Sequence, residues 1–164
     1  MRHTIAILLQ NETGALSRVA SMFSTRGYNI ESLSVAPTQD PMVSRLTLVT
    51  EGEDSVIEQI SKQLYKLIDV VEVLDITLLD HVERELMMIK CKFIDHKQDE
   101  LHAFVDEEDG KIISKVDGFI IIEIMSDYES NNRFLKTLEK MIEVVAIARS
   151  GPLALAKGQT VISL

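Results

Sequence analysis

The sequence predicts an α+β protein built from two ferredoxin-like βαββαβ domains in tandem, each with an antiparallel sheet. Short alternating apolar segments, typical of half-buried strands, are interrupted by longer apolar stripes at helical spacing. The order of these segments in the first half of the chain returns in the second half, without evident residue identity. We therefore place the domains at residues 3–78 and 83–160, with the boundary between them near residues 79–83.

Six elements are predicted in the first domain. A strand at 3–9 precedes an amphipathic helix, and strands at 30–37 and 43–50 follow it. The connection between these two strands contains Pro37 and Pro41, which cannot continue a ladder because proline has no N–H. A second helix and a β-branched strand at 70–76 complete the domain. The stripes that define the two helices are Leu16, Val19, Ala20 and Phe23, and Ile57, Ile60, Leu64 and Leu67.

The second domain repeats this order. Asp117-Gly118 is a strong tight-hairpin signal between strands at 112–116 and 119–125. Ser126 and Glu129 have the spacing of a capping box before the last helix, and a strand at 144–148 precedes a weakly patterned tail. The first strand of this domain places four residues on one face: Met87, Ile89, Cys91 and Phe93. Each sheet of four strands is expected to leave one face bare, which favours pairing with a partner.

Composition excludes several classes of function. A net charge of −9 over 164 residues disfavours binding to a phosphate backbone, and the absence of tryptophan weakens any base-stacking proposal. No apolar run reaches the roughly 18 residues that would span a bilayer. No signal peptide is evident, and the single cysteine, Cys91, suits a reducing compartment. We expect a cytoplasmic protein that binds neither nucleic acid nor membrane.

The polar turn after the first strand is the most informative segment. Gly14 opens a helix there, and the start of a helix offers backbone N–H groups and a partial positive charge to a carboxylate. A glycine also lets a ligand approach the backbone closely. Asn11 and Asn29 can each donate and accept hydrogen bonds, as the recognition of a free amino acid requires. The alternative is an ordinary strand-turn-helix with a polar cap.

The first half of the chain resembles the ACT domains, small amino-acid-sensing modules of metabolic enzymes. Within that group, motifs spread over nearly the whole chain resemble the small regulatory subunits of acetolactate synthase (acetohydroxyacid synthase). The matching segments are Asn11–Val19, Phe23-Ser24, Arg26–Leu33, Val35–Thr38, Ser44-Arg45, Gln63-Leu64 with Lys66-Leu67, Val82–Glu85 and Ala148–Gly151. Thr13 stands where many ACT domains have proline, a departure that this subfamily shares.

The resemblance implies a regulator without an active site. Such a subunit binds the catalytic large subunit, which condenses two pyruvates, or pyruvate with 2-oxobutanoate. It raises that subunit's activity and confers feedback inhibition by valine in branched-chain amino-acid biosynthesis. The resemblance implies no cofactor in this chain; thiamine diphosphate, magnesium and FAD are expected in the large subunit.

The resemblance also implies a valine site shared between two ACT domains in a homodimer. The backbone at Gly14, Ala15 and Leu16 would bind the carboxylate, and Asn11 would orient the ligand. Asn29 and Ile30 of the partner chain would complete the pocket. The secondary candidates are Ser17 and Arg26, with Leu9 in the apolar slot.

Other signals favour simpler interpretations. Asp109-Gly110 and Asn131-Asn132 loosely resemble a motif that holds magnesium and thiamine diphosphate, but Glu108 replaces its first glycine. The spacing of His96, Asp99 and His102 fits a solvated helix face better than a metal site. Cys91 fits a buried small hydrophobe. Two alternatives remain open: a free-standing ACT-type sensor that acts on another enzyme or on transcription, and a small enzyme, although no catalytic constellation is evident.

Overall fold

The computed structural model describes residues 1–92 and 98–158, which form two compact units. We call Met1–Val82, with the described residues from Pro152 onward, the N-terminal unit, and Glu83–Gly151 the C-terminal unit. No described helix is long and apolar enough to cross a membrane.

The N-terminal unit is an antiparallel sheet of four strands in the order β2-β3-β1-β4. Its helices α1 and α2 connect β1 to β2 and β3 to β4. The bounds are β1 Arg2–Gln10, α1 Ala15–Thr25, β2 Ser32–Pro37, β3 Val43–Glu51, α2 Asp54–Leu64 and β4 Val70–Asp75.

The C-terminal unit has the same connectivity. Its main sheet runs β6-β7-β5-β8, all antiparallel. The bounds are β5 His81–Lys92, α3 Gln98–Glu107, β6 Lys111–Val116, β7 Phe119–Ser126, α4 Tyr128–Met141 and β8 Val144–Arg149. A last strand, β9 Leu153–Ala156, pairs with β5, the strand in which the division between the units falls. The predicted fold class, two βαββαβ units with antiparallel sheets, is confirmed.

The two sheets share their register as well as their strand order. Ile5 of β1 pairs with Leu48 and Asp75, and Met87 of β5 pairs with Ile124 and Arg149. The β1–β4 pairing shifts register between Leu8 and Leu9, and the β5–β8 pairing shifts between Lys90 and Cys91. Each shift begins three residues after Ile5 or Met87. Residues of one unit can therefore be assigned counterparts in the other, such as Ile5 with Met87 and Leu8 with Lys90.

Each unit packs its helices on one face of its sheet. In the N-terminal unit, Ile5, Ile7 and Leu9 contribute to a core with apolar residues of both helices. In the C-terminal unit, Met87, Ile89 and Cys91 are fully buried in the corresponding core. This confirms the strand face predicted for those three residues, whereas Phe93 lies outside the described residues.

The expectation of one bare face per sheet is wrong for the N-terminal unit. Every residue of β1 from His3 to Leu9 is buried. The face away from the helices carries Ala6 and Leu8, which cluster with Val43, Ile76 and Ala154. Ala154 belongs to the tail, which forms β9 although its sequence is weakly patterned. An apolar face closed by such distant residues has no local signal in the sequence.

Leu16, predicted on the apolar stripe of α1, is 38% exposed, and Ala15 lies on the buried face instead. Further departures from prediction lie at element ends. The capping box of Ser126 and Glu129 is not formed: the N-cap of α4 is Asp127, whose carboxylate accepts a hydrogen bond from the Ser130 amide at 2.8 Å. Strand β2 begins at Ser32 rather than at residue 30, and Leu67 follows the end of α2. The hairpin at Asp117-Gly118 is confirmed, with both residues at positive φ (52° and 78°).

Candidate functional site

The candidate site begins at the turn that follows β1, which is held in place by backbone hydrogen bonds to two other segments. The Gln10 amide donates to the Asp69 carbonyl at 2.8 Å, and the Asn11 amide donates to the Met42 carbonyl at 2.8 Å. The Asn11 side chain donates through Nδ2 to the Pro41 carbonyl at 2.9 Å. Because this bond uses the amide nitrogen, the Asn11 Oδ1 atom is left as an acceptor for a ligand.

Gly14 is the N-cap of α1 and adopts a left-handed conformation, with φ of 89°. No side chain caps the helix. The Ala15 amide donates to the Glu12 carbonyl at 3.2 Å. The amides of Leu16 and Ser17 have no acceptor within the helix, because they belong to its first turn. Helix α1 therefore begins with outward donors and the positive end of its dipole.

Arg18 adds a cation to this helix start. Its guanidinium forms a two-pronged ion pair with the buried carboxylate of Asp69, with Nη2 2.8 Å from Oδ1. The hydrogen bond from Arg18 holds the pKa of the Asp69 carboxyl below its ordinary value. A Cβ atom on Gly14 would lie 3.0 Å from Arg18 Nη1, so the guanidinium lies directly beside the N-cap. The ion pair thereby fixes α1 against the connection between α2 and β4.

A cavity of about 220 Å³ opens beside this turn. Its walls are the end of β1, the turn itself, the start of α1 and the end of β2. Leu16 and Val35 line it and are 38% and 40% exposed. The lining residues are Leu9, Gln10, Asn11, Glu12, Ala15, Leu16, Val35, Ala36, Pro37 and Ser44. The cavity combines aliphatic walls with polar groups, as a pocket for a small amphiphilic metabolite requires.

The structure brings together only part of the predicted site. Asn29 and Ile30 lie near the opposite end of β3, where the Glu31 amide donates to Val49 and the Asn29 carbonyl accepts from Thr50 Oγ1. The cavity meets β3 at Ser44, six residues from Thr50, which is about 20 Å along a strand. Asn29 and Ile30 of the same chain are therefore far from Asn11.

The three secondary candidates also lie in different places. Leu9 lies in the cavity wall and is only 2% exposed. Ser17 is exposed in the first turn of α1. Arg26 lies at the other end of α1, where its Nη2 donates to Gln63 Oε1 at 2.9 Å. It cannot reach the cavity, because α1 is 11 residues, or about 16 Å, long.

Sequence reasoning gave no site role to Arg18, Asp69 or the β2 residues at 35–37. The pairing of Pro37 with Ser44 brings the end of β2 beside the end of β1, and this register is a tertiary result. Asp69 joins through the loop after α2. The available signal was the Val35–Thr38 segment, which carries part of the family resemblance but has no periodicity that indicates a ligand.

In the C-terminal unit, the residues that could suggest a cofactor site or a reactive thiol have other roles in the structure. The Asn131 amide nitrogen donates to the carbonyl and carboxylate of buried Glu85, at 3.0 and 3.3 Å. Burial raises the pKa of the Cys91 thiol to about 11. His96 lies outside the described residues, and the described part of the chain contains no group of residues arranged to hold a metal ion.

Family models match both halves of the chain. Residues 5–72 match the AHAS small subunit-like ACT domain, and residues 84–158 match the small subunit of acetolactate synthase. Together the two models span the candidate site and all of the C-terminal unit except its first residue, Glu83.

Full-length relatives agree with these models. The chain is 41% identical over 161 residues to the acetolactate synthase isozyme 3 small subunit of Escherichia coli K12, covering 98% of this chain and 99% of that protein. It is 39% identical over 158 residues to a probable acetolactate synthase small subunit of Archaeoglobus fulgidus, covering 96% and 98%. The crystal structure of the acetolactate synthase small subunit from Thermotoga maritima matches with a TM-score of 0.87 and 37% identity, covering 98% and 99%.

Proposed function

The chain belongs to the family of acetolactate synthase small subunits, and from this premise we propose that it is a non-catalytic regulator that binds valine. On this proposal it associates in the cytoplasm with the thiamine-diphosphate-dependent large subunit. It raises the activity of that subunit and makes it sensitive to valine. The observation that carries the valine assignment is the cavity at the start of α1, which joins helix-start donors to aliphatic walls.

On this proposal, groups in or beside this cavity bind each part of the valine zwitterion. The carboxylate would accept hydrogen bonds from the outward amides of Leu16 and Ser17, supported by the helix dipole. Asn11 Oδ1 would accept from the ammonium group. Leu16 and Val35 would contact the isopropyl group, which removes their exposed apolar surface from water. One additional methylene changes affinity by only about 1–3 kcal/mol, so leucine and isoleucine should bind more weakly rather than not at all.

On this proposal the valine site is shared between two chains. Because one chain keeps Asn29 about 20 Å from the cavity along β3, only a second copy can bring Asn29 and Ile30 to it. Strand β2 forms an edge of its sheet and leads directly into the cavity wall. A homodimer that places the 29–30 turn of one copy over the cavity of the other would bury Leu16 and Val35.

Feedback control then follows from linkage. Valine that binds across a dimer interface stabilises the dimer packing that forms the site. If the large subunit prefers a different packing, valine lowers its activity. The coupling free energy between the two binding events is typically 1–3 kcal/mol.

Reconstitution tests this proposal. The chain is added to purified large subunit, with and without valine, and acetolactate formation is measured. We expect activation by the chain and inhibition by valine. A large subunit that does not respond to the chain would leave a free-standing sensor as the better interpretation, provided that calorimetry still detects valine binding.

Gly14→Asp is the matching site variant. It places a carboxylate where the ligand carboxylate belongs, and it forces a side chain into a left-handed conformation beside Arg18. We expect valine binding and inhibition to be lost while activation remains. Ser24→Asp, on an exposed position of the same helix, is the control. Normal valine inhibition in the Gly14→Asp variant would contradict the assignment.

A further inference from the structure

The turn that carries the candidate valine site is held at both of its ends by one residue of another segment. We propose that Asp69 is the positioning residue of this site: it fixes the end of β1 and the start of α1, and so sets the affinity for valine without contacting valine. The inference rests on the proposed function, because that function supplies the ligand. It adds the residue on which the geometry of the site depends.

Asp69 contacts the two ends of the turn through different groups. Its carbonyl accepts a hydrogen bond at 2.8 Å from the amide of Gln10, the last residue of β1. Both oxygens of its carboxylate accept hydrogen bonds from the guanidinium of Arg18 in α1. The turn lies between these two contacts. Asp69 therefore joins the strand, the helix and the connection between α2 and β4 at one point.

The charge of Arg18 is already paired, so its effect on the site is through position. It forms its ion pair with a carboxylate that is only 5% exposed. The Arg18 amide donates to the Gly14 carbonyl at 3.0 Å, and its Nη1 atom would lie 3.0 Å from a Cβ atom on Gly14. The ion pair thus fixes the N-cap of α1, which determines where the amides of Leu16 and Ser17 point. Among the described residues that line the cavity, neither Arg18 nor Asp69 is present.

The segment that carries Asp69 is itself held on both sides. Tyr65 ends α2, and its hydroxyl donates to the Val73 carbonyl at 2.9 Å and accepts from the Val73 amide at 3.2 Å. The Val70 amide donates to the Leu67 carbonyl at 3.1 Å. These bonds tie the connection to the helix before it and to β4 after it. Asp69 is therefore presented by a supported segment, as a group that positions a binding site requires.

Fixed donors increase affinity because the ligand does not have to order them. A carboxylate at the start of α1 uses the amides of Leu16 and Ser17 together, and an N-cap that moved freely would align them only part of the time. The free energy of ordering the turn would then reduce the free energy of binding. Loss of the ion pair should therefore weaken valine binding, although no contact with valine is removed.

Calorimetric titration of the full chain with valine tests the inference in two single variants and their double variant. Arg18→Met removes the guanidinium but keeps the aliphatic stem, and Asp69→Asn removes the carboxylate charge but keeps the backbone carbonyl. We expect each to weaken binding at least about fivefold, and the double variant to bind no more weakly than the weaker single variant, because all three lack the same contact. Arg18→Lys, which keeps the cation but not the two-pronged geometry, should lie between wild type and Arg18→Met.

Amide hydrogen exchange gives a second measurement that a loss of overall stability would not reproduce. The Gln10 amide should exchange at least about tenfold faster in both single variants, because its bond to the Asp69 carbonyl loosens with the turn. The Ile7 amide, in the middle of the same strand, should keep its wild-type rate.

Two controls lie in the same unit. Lys62→Met also removes a cation and an ion pair, since Lys62 Nζ lies 2.6 Å from Glu58 Oε1 on the exposed side of α2. Ile60→Val removes a methylene from a fully buried position and lowers stability without a contact to the turn. Both should change valine affinity less than about twofold.

The signs of the two single variants separate positioning from a direct effect of charge. If Arg18 acted on valine as a cation, Asp69→Asn would free the guanidinium and strengthen binding while Arg18→Met weakened it, and this result would overturn the inference. Wild-type affinity in both variants would also overturn it and leave the proposed function intact. If the wild-type chain does not bind valine, the valine assignment and this inference fall together. Urea unfolding of each variant verifies that folded protein is titrated.

Discussion

The central strands of the two units occupy the same place in the same fold but have opposite burial patterns. Strand β1 is buried on both faces from His3 to Leu9, whereas in β5 buried and exposed residues alternate from Glu85 to Lys92. Strand order, direction and the position of the register shift are shared. The same topology is therefore compatible with a second face that is closed and with one that is left open.

The same comparison extends to a buried polar pair at one end of each sheet. In the N-terminal unit, His3 Nδ1 lies 3.0 Å from the Asp75 carboxylate. At the corresponding place in the C-terminal unit, Glu85 accepts hydrogen bonds from Arg149 Nη2 at 2.6 Å and Nε at 3.1 Å. Each pair joins the start of the first strand to the end of the last one, but the carboxylate lies on the last strand in the N-terminal unit and on the first strand in the C-terminal unit. The shared requirement is that a polar residue buried at this position has a partner, rather than that it carries a particular charge.

Exchanging counterparts on the second faces should give the largest contrast. Leu8→Lys buries a charge beneath Ala154 and Ile76, so we expect a loss of roughly 4 kcal/mol or failure to fold. Lys90→Leu, at an exposed position on the second face of the C-terminal sheet, should change stability by less than about 0.5 kcal/mol. Urea unfolding monitored by circular dichroism measures both. Equal losses in the two variants would contradict the difference between the faces.

Breaking the C-terminal ion pair should have the next largest effect. Arg149→Met leaves the Glu85 carboxylate, which is 3% exposed, without its cation, and we expect a loss of about 3 kcal/mol. Glu85→Leu combined with Arg149→Met should recover most of this loss. In the N-terminal unit, Asp75→Asn should cost less, because a neutral amide can still bond to the His3 ring. If the double variant is no more stable than Arg149→Met alone, the buried carboxylate is not the cause.

The helix caps provide a smaller contrast. Helix α4 has a side-chain cap, Asp127, and α1 has none. Asp127→Ala should cost about 1 kcal/mol. The Ser130 amide lowers the pKa of the Asp127 carboxyl, so this contribution is complete above the unfolded value of about 3.9 and is lost as pH falls through the lower folded value. Thermal unfolding of wild type and Asp127→Ala at pH 7 and pH 2.5 tests this; the difference should shrink at pH 2.5.

The thiol of Cys91, the counterpart of Leu9, should show the least reactivity. Its pKa is raised to about 11 by burial, so almost no thiolate exists near neutral pH. We expect labelling by a disulfide reagent at pH 8 to be at least a hundredfold slower in the native protein than in urea. Rapid labelling of the native protein would show that the C-terminal core opens locally.

Much of this architecture could be read directly from the chain. The alternation of Ile5, Ile7 and Leu9, and of Met87, Ile89 and Cys91, identified the helix-bearing face of each sheet, because a strand buries every second residue against one layer. The hairpin at Asp117-Gly118 was equally local, because those residue types tolerate positive φ. The polar turn at Asn11–Gly14 predicted the start of α1, because the residues that begin a helix are consecutive in sequence.

Only the tertiary structure decided what covers each sheet and what surrounds the candidate site. Ala154 and Ile76 close the second face of the N-terminal sheet, and Asp69 fixes Arg18 beside Gly14, through contacts between segments far apart in sequence. The β2 residues reach the cavity through their register with β3. Local periodicity reports the environment of consecutive residues, whereas these contacts depend on where the chain returns, so no pattern within one segment carries them.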